Sequence, residues 1–186
     1  MNIRRATLFD LGGVEKVYQD IHDAEETGKL STGWLRGVYP VRATAEAALQ
    51  RGDLYVMEEK NRLFGAAIIN QLQVDVYAGA PWRYSVPDSE VSVLHTLVIS
   101  PKAGRRGLGK QFVRFYEEHA LAHGRTELRI DTNALNLRAR EMYRKLGYEE
   151  IAIVPTVFNG IPGVDLVLLE KHLSSDSDII QEDSAK

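Results

Sequence analysis

The segment spanning residues 90–123 constrains the fold of this chain more than any other. It begins with EVSVLHTLVI, a run of β-branched and apolar residues typical of a strand, and continues into the glycine loop AGRRGLGKQF, Ala103–Phe112. A helix follows, because Leu108, Phe112 and Phe115 recur at helical spacing. Where a strand enters a glycine loop at the start of a helix, backbone N–H groups and the helix dipole point at one place. The sequence therefore predicts an anion site at this helix N-terminus.

Two nucleotide-binding interpretations of the glycine loop each fail at one residue. As a P-loop, Gly104–Lys110 needs a following Ser or Thr to hold magnesium, whereas the chain has Gln111 there and only Asp131 as a downstream carboxylate. As a dinucleotide fingerprint, the loop needs a third glycine where Phe112 stands. Two interpretations stay open on these residues alone. The loop binds a pyrophosphate that needs no magnesium, or it is a structural turn without a ligand.

The rest of the chain alternates short strands and helices without an internal repeat. Predicted strands are Ile3–Ala6, Leu54–Glu58, Leu63–Leu72, Glu90–Ile99, Glu127–Asp131, Tyr148–Val154 and Gly163–Leu169. Predicted helices follow Asp10, span Thr44–Gln50, run from the glycine loop to about His123, and span Leu135–Leu146. This order predicts an α/β (α+β) fold, a mixed sheet with helices on its faces, in one domain of residues 1–173. The acidic tail, residues 174–186, is expected to be flexible.

Composition narrows the class of protein. The absence of cysteine among 186 residues excludes disulfide scaffolds, thiolate metal sites and cysteine nucleophiles. A net charge of −3 argues against a general nucleic-acid binder, although basic residues cluster around the glycine loop. No signal peptide or long apolar run is visible, so we expect a cytoplasmic protein without a membrane partner.

Two motifs in the second half of the chain identify a family. The segment Asn136–Tyr148 follows N-x-x-A-x-x-x-Y-x-x-x-G-[FY], and it resembles the corresponding segment of the GNAT superfamily of N-acetyltransferases. Leu97–Pro101 followed by Arg106–Gly109 is similar to that superfamily's L-x-V-x-P and [QR]-x-x-G-x-G signature. One position departs from the pattern, because Gly104 stands where the family has Gln or Arg.

The resemblance implies a fold and a co-substrate. The fold is a mostly antiparallel sheet of about six or seven strands with a central splayed pair, flanked by about four helices. The co-substrate is acetyl-CoA, with its pyrophosphate on the N–H groups of the glycine loop and its pantetheine arm paired with the preceding strand; no metal is expected. The implied cofactor-binding residues are Leu97, Val98, Ile99, Gly104, Arg105, Arg106, Gly107, Leu108, Gly109, Lys110 and Asn136.

The same resemblance implies catalytic roles. Tyr143 stands where many of these enzymes place the tyrosine that protonates the CoA thiolate; the alternative is an aromatic core residue. His95 is expected to share a strand face with Leu97 and Ile99, close to the thioester, and to help deprotonate the amine. Glu90 could act through water, and a site with only a water path is a third option. Asn136 either binds the CoA arm or caps its helix.

The acceptor is expected to be the primary amine of a small or amino-acid-like molecule. By resemblance, the segment after the first helix lines its pocket, with Trp34 and Tyr39 as an apolar wall and Arg36 reading a carboxylate. A protein or peptide N-terminus and a non-catalytic acyl-CoA-binding module are the alternatives, and a homodimer is left open. His119 and His123 have a spacing that suits a metal, but they lack the Glu of H-E-x-x-H and a third ligand.

Overall fold

The computed structural model describes residues 1–104 and 106–173; Arg105 and the predicted tail, residues 174–186, lie outside the described residues. The seven strands lie at the predicted places in the chain, with ends that differ by up to four residues, and Glu90 precedes the fourth strand instead of beginning it. In chain order they are β1 (Asn2–Arg5), β2 (Leu54–Glu59), β3 (Arg62–Asn70), β4 (Val91–Ile99), β5 (Glu127–Asn133), β6 (Glu149–Phe158) and β7 (Ile161–His172).

Four α-helices accompany these strands. They are α1 (Leu11–Glu26), α2 (Arg42–Arg51), α3 (Leu108–Ala122) and α4 (Leu137–Lys145). Each of the longer helices presents one apolar stripe; that of α1 includes Leu11, Val14 and Tyr18, all buried as their spacing of three and four residues predicts. No helix in residues 1–104 and 106–173 is both long and apolar enough to cross a membrane.

All seven strands form a single sheet in the order β1-β2-β3-β4-β5-β7-β6. Neighbouring strands are antiparallel except β4 and β5, which are parallel. Helices α3 and α4 pack on one face, whereas α1 and α2 pack on the other. The mixed, mostly antiparallel sheet with four helices confirms the predicted fold class.

The parallel pair is short and then opens. Strands β4 and β5 pair over four residues, from Val91 opposite Glu127 to Leu94 opposite Ile130. Beyond that point β4 pairs with β3 alone, and β5 pairs with β7 alone as far as Asn133. The sheet therefore contains a fork between the C-terminal ends of β4 and β5, as the family resemblance implied.

A β-bulge in β4 lies beside this fork. Thr96 has φ +50°, and the register against β3 shifts there, so that His95 faces Ile68 while Val98 faces Ala66. An extra residue in one strand reverses the alternation of side chains beyond it. His95 therefore lies on the α1–α2 face with Ile68, whereas Leu97 and Ile99 pack with the cluster on the α3–α4 face. The prediction that His95 shares a face with Leu97 and Ile99 was wrong.

Candidate active site

A cleft of about 750 Å³ opens at the fork. Its walls come from the segment after α1, from β4 and β5, from the glycine loop and from α4. Most residues predicted for the site line it together. These are Trp34, Tyr39, His95, Leu97, Val98, Ile99, Gly104, Gly107, Leu108, Gly109, Lys110, Asn136 and Tyr143.

The glycine loop forms the anion-binding end of the cleft. Gly104 has φ +75° and ψ −174°, and Gly107 has φ +70° at the N-cap of α3. The first N–H groups of a helix lack partners within the helix, and here they belong to Leu108, Gly109 and Lys110. These groups line the cleft at the positive end of the helix dipole, so the loop can hold a pyrophosphate.

Arg106 is not part of this end of the cleft. Its guanidinium pairs with Glu59 at 3.0 Å and lies 5.5 Å from the centre of the Phe64 ring. Arg106 is absent from the residues that line the cleft. A carboxylate at the end of β2 therefore pairs with the Arg106 side chain, so the predicted cofactor contact of Arg106 would come from its backbone N–H. The neighbouring Arg105 lies outside the described residues.

Tyr143 lies on α4 and is 5% exposed, with its ring 5.8 Å from that of Tyr148. Burial and, to a smaller extent, the charge of Asp131 raise the pKa of its hydroxyl. Tyr143 is therefore protonated at neutral pH and can donate a proton or hydrogen bond into the cleft. Tyr143 is buried, as the core alternative predicts, and it also borders the cleft, so its position is compatible with either role.

Helix α4 begins at Asn136, which also lines the cleft. The Asn136 side-chain oxygen accepts a hydrogen bond from the Ala139 backbone N–H at 3.2 Å, which is helix capping. Capping occupies the oxygen and leaves the amide NH₂ group as a donor. The two interpretations of Asn136 are therefore compatible, because one atom serves the helix and the other can serve a ligand.

His95 has a defined tautomer. Its Nε2 lies 3.0 Å from the Leu72 backbone oxygen and 3.1 Å from Asn70 Oδ1. Because a carbonyl oxygen only accepts, Nε2 carries the hydrogen and Nδ1 has the free lone pair. Burial lowers the pKa of His95 to about 4, so the ring is neutral at neutral pH. His95 can therefore accept a hydrogen bond at Nδ1 in the cleft.

Glu90 and Arg36 do not line the cleft. Glu90 ends a 3₁₀ turn, Asp88–Glu90, at the start of β4, and the fork opens at the other end of that strand. Arg36 is exposed and pairs with Asp23 and Glu26 of α1, each at 2.7 Å. The catalytic interpretation of Glu90 and the carboxylate-reading interpretation of Arg36 are therefore not supported by their positions.

Trp34 and Tyr39 form the predicted aromatic wall. Their ring centres lie 5.9 Å apart in an edge-to-face arrangement. The Tyr39 hydroxyl hydrogen-bonds with the hydroxyl of Thr96, the bulge residue of β4. The bulge and the segment after α1 are therefore tied together at the mouth of the fork.

Two residues of this region, Asp131 and Tyr77, had no predicted role in the cleft. Asp131 directly follows the last β5 residue paired with β4, and it lines the cleft. The Tyr77 hydroxyl donates a hydrogen bond to Asp131 Oδ2 at 2.8 Å, and burial raises the pKa of Asp131 to about 6. The carboxylate at the end of a predicted strand was the one sequence signal for a role of Asp131. Its hydrogen-bond partner Tyr77 lies 54 residues earlier in the chain, in an irregular connection, and could not be predicted.

His119 and His123, whose spacing suits a metal, contact aromatic side chains and each other. The Nε2 atom of His119 hydrogen-bonds with the Tyr55 hydroxyl at 2.8 Å, and the His119 and His123 rings stack at 4.2 Å. Within the described parts of the chain, no group of three or more His, Asp or Glu residues is placed to hold a metal ion.

Comparison with known proteins gives a family and a set of similar folds. The model of the acetyltransferase (GNAT) family matches residues 15–148. No curated protein sequence matches the chain. A GNAT-family acetyltransferase from Streptococcus agalactiae is 22% identical, with a TM-score of 0.77 over 94% of this chain and 96% of the other.

Two further solved structures share the fold. A ribosomal-protein-alanine N-acetyltransferase from Brucella melitensis is 19% identical, with a TM-score of 0.68 over 93% of this chain and 100% of the other. A protein from Salmonella typhimurium, described as an acetyltransferase and solved with its cofactor acetyl-CoA, is 19% identical, with a TM-score of 0.65 over 94% of this chain and 95% of the other. At these identities the likeness concerns the fold.

Proposed function

The chain belongs to the GNAT family of acetyltransferases, and from this premise we propose that it transfers an acetyl group from acetyl-CoA to the primary amine of a small molecule. The observation that carries the proposal is that Tyr143 shares one cleft with the glycine loop and the open edge of β4. Donor binding and proton donation thereby meet at a single fork.

Binding of the donor follows from backbone geometry. The pyrophosphate lies on the N–H groups at the start of α3, and the pantetheine arm pairs with the edge of β4 that β5 leaves free, much as an added strand would. The amide NH₂ group of Asn136 is a further donor for this arm. Acetyl-CoA is thus held without magnesium.

The reaction needs two proton transfers. A primary alkyl amine has a pKa near ~10.4, so its neutral form costs roughly 4 to 5 kcal/mol at neutral pH. The neutral amine attacks the thioester carbonyl, a C–N bond forms, and the C–S bond breaks. Tyr143 donates a proton to the departing thiolate, whose conjugate thiol has a pKa around ~8.5. His95 Nδ1 accepts a hydrogen bond from the amine, directly or through a water molecule, and so assists departure of the amine proton to solvent.

Bringing both substrates into one cleft contributes to the rate as well. Two reactants held in attacking geometry react as one molecule, which can remove several kcal/mol from the barrier. Trp34 and Tyr39 give the acceptor side of the cleft an apolar wall. Direct attack within a ternary complex is therefore the mechanism that the cleft supports best.

The test is an amine panel in which release of free CoA is followed. We expect acetyl-CoA to raise the melting temperature without magnesium and at least one small amine to be acetylated. A peptide with an N-terminal alanine in the same panel tests the alternative acceptor. Stabilisation by ATP with magnesium but not by acetyl-CoA would contradict the proposal.

Tyr143→Phe tests the mechanism. It removes the hydroxyl while keeping the buried ring, so we expect a kcat lower by about 100-fold or more with the melting temperature nearly unchanged. Tyr84→Phe is the matched control, because Tyr84 is exposed, stacks on His172 and does not line the cleft. A Tyr143→Phe variant with the kcat of the unmodified protein would exclude the proton-donor role.

A further inference from the structure

Asp131 is the acidic side chain at the fork, on the acceptor side of the sheet. Its cross-strand partner is Leu168, which belongs to the same apolar cluster as Tyr77, and Trp34 and Tyr39 pack against that cluster. Tyr143 lies on the opposite face, among the residues packed with α3 and α4. Asp131 and Tyr143 therefore lie on opposite faces of the sheet, next to the fork.

The environment of Asp131 differs from that of the other enclosed aspartates. Within the described residues, Asp131 makes no ion pair, and Tyr77 donates to only one of its oxygens. The three buried aspartates each have a cationic partner within 3 Å. These pairs are Asp10–Arg4, Asp20–Lys102 and Asp53–Arg51.

An enclosed carboxylate without a cation is energetically unfavourable unless something pairs with it. Asp131 lines the cleft, so a ligand can reach it. Burial raises the pKa of Asp131 to about 6, which leaves the group ionised at neutral pH. A cation that enters through the cleft can pair with this carboxylate.

The walls around Asp131 define the rest of that ligand. On the same face the cleft is lined by two aromatic rings, Trp34 and Tyr39, whose faces attract a cation, and by apolar side chains. These include Phe158, Ile161 and Leu166. A compact charged group bound at Asp131 would thus have an apolar body against these walls.

We propose that Asp131 is the residue that recognises the acceptor, binding its ammonium group in the fork, and that Tyr77 is a positioning residue that orients the carboxylate. The acceptor class is then a primary amine that is charged at neutral pH and carries an aromatic or branched aliphatic body. One N–H of the ammonium donates to Asp131. Another proton leaves through His95 or water before the nitrogen attacks. This inference rests on the proposed function and specifies its acceptor.

The experiment measures how Asp131→Asn changes KM and binding for two amines of similar shape, relative to the unmodified protein. One is a primary arylalkylamine, charged at pH 7.5; the other is an aniline of similar size, uncharged at that pH. We expect the KM and the dissociation constant of the arylalkylamine, the latter measured by calorimetry with CoA present, to rise about 10- to 100-fold. The values for the aniline should stay within about 2-fold. Tyr77→Phe should also raise the KM and the dissociation constant of the arylalkylamine, but by a smaller factor.

Asp165→Asn is the matched control, because Asp165 is exposed on β7 and does not line the cleft. Thermal unfolding of each variant reports whether it folds. Equal losses for both amines would overturn the proposal and assign Asp131 a structural role, as would no loss for either. If Asp131→Asn fails to fold, Tyr77→Phe alone must show the selective loss.

The acetyl-CoA dissociation constant separates this inference from the proposed function. If acetyl-CoA binds equally to all variants but no charged amine binds, the Asp131 proposal fails while donor binding stands. If acetyl-CoA does not bind, the proposed function fails, and amine binding to the protein alone still tests Asp131.

Discussion

Gly104 occupies the position where the family pattern has Gln or Arg, and the structure gives a reason to expect that restoring Gln would be harmful. With φ +75° and ψ −174°, Gly104 lies in a backbone region that is essentially restricted to glycine. Apart from the two chain neighbours, no atom of the described residues lies within 4 Å of a Cβ placed on Gly104, so the Cβ meets no obstacle. The backbone strain of Gly104→Gln is about 1 to 3 kcal/mol.

This strain can lower either the stability of the folded protein or its affinity for acetyl-CoA, and the two losses of free energy together equal the strain. If the loop keeps its conformation, the folded state carries the strain, and the melting temperature falls by about 2 to 12 °C for a chain of this length. If the loop relaxes, the melting temperature stays the same, and the strain must be restored when acetyl-CoA binds. Its dissociation constant then rises by about 5- to 150-fold.

Thermal unfolding and titration calorimetry with acetyl-CoA measure both quantities on the same protein. Gly79→Gln is the control, because Gly79 is an exposed loop glycine with an open Cβ position and no positive φ. We expect it to change neither quantity by a comparable amount. A Gly104→Gln variant with an unchanged melting temperature and equal or tighter acetyl-CoA binding would refute the reasoning.

Two further predictions concern Glu127 and Arg36. Burial and the neighbouring Glu170 raise the pKa of Glu127 to about 8 from the ordinary 4.5, so the folded state holds a proton that the unfolded chain releases. The free energy of unfolding should therefore fall as pH rises from 4.5 to 8, by up to about 1.4 kcal/mol per pH unit. In urea titrations, Glu127→Gln should show a smaller fall over the same pH range. An equal fall in the variant and the unmodified protein would contradict this. Arg36→Ala should leave the KM for every amine within about 2-fold, since its partners are Asp23 and Glu26, and a larger change in steady-state kinetics would return Arg36 to the acceptor site.

The order of elements and the location of the cleft were predictable because both depend on local signals. Apolar residues at spacings of three and four mark α1 and α3, and the glycine loop marks the start of α3. The family motifs added the fork, which local periodicity does not reveal. The sequence thus predicted which elements border the fork, namely β4, the glycine loop and the start of α3.

The acceptor side was harder because tertiary contacts determine it. The bulge at Thr96 has no local signal, since a β-branched residue at positive φ is unfavourable on its own, and it moved His95 to the other face. Arg36 was assigned to the cleft because its partners on α1 were unknown. The orientation of Asp131 depends on a hydrogen bond from Tyr77, 54 residues earlier in the chain.

The short pairing of β4 with β5 also has a mechanical consequence. Four residue pairs join a four-stranded half of the sheet to a three-stranded half. Amide protons along the open part of β4 should accordingly exchange with solvent faster than those of β3, and a molecule lodged between the halves should slow that exchange on both sides at once. The fork would then act as a flexible joint that stiffens when it is filled, so that rigidity itself reports occupancy.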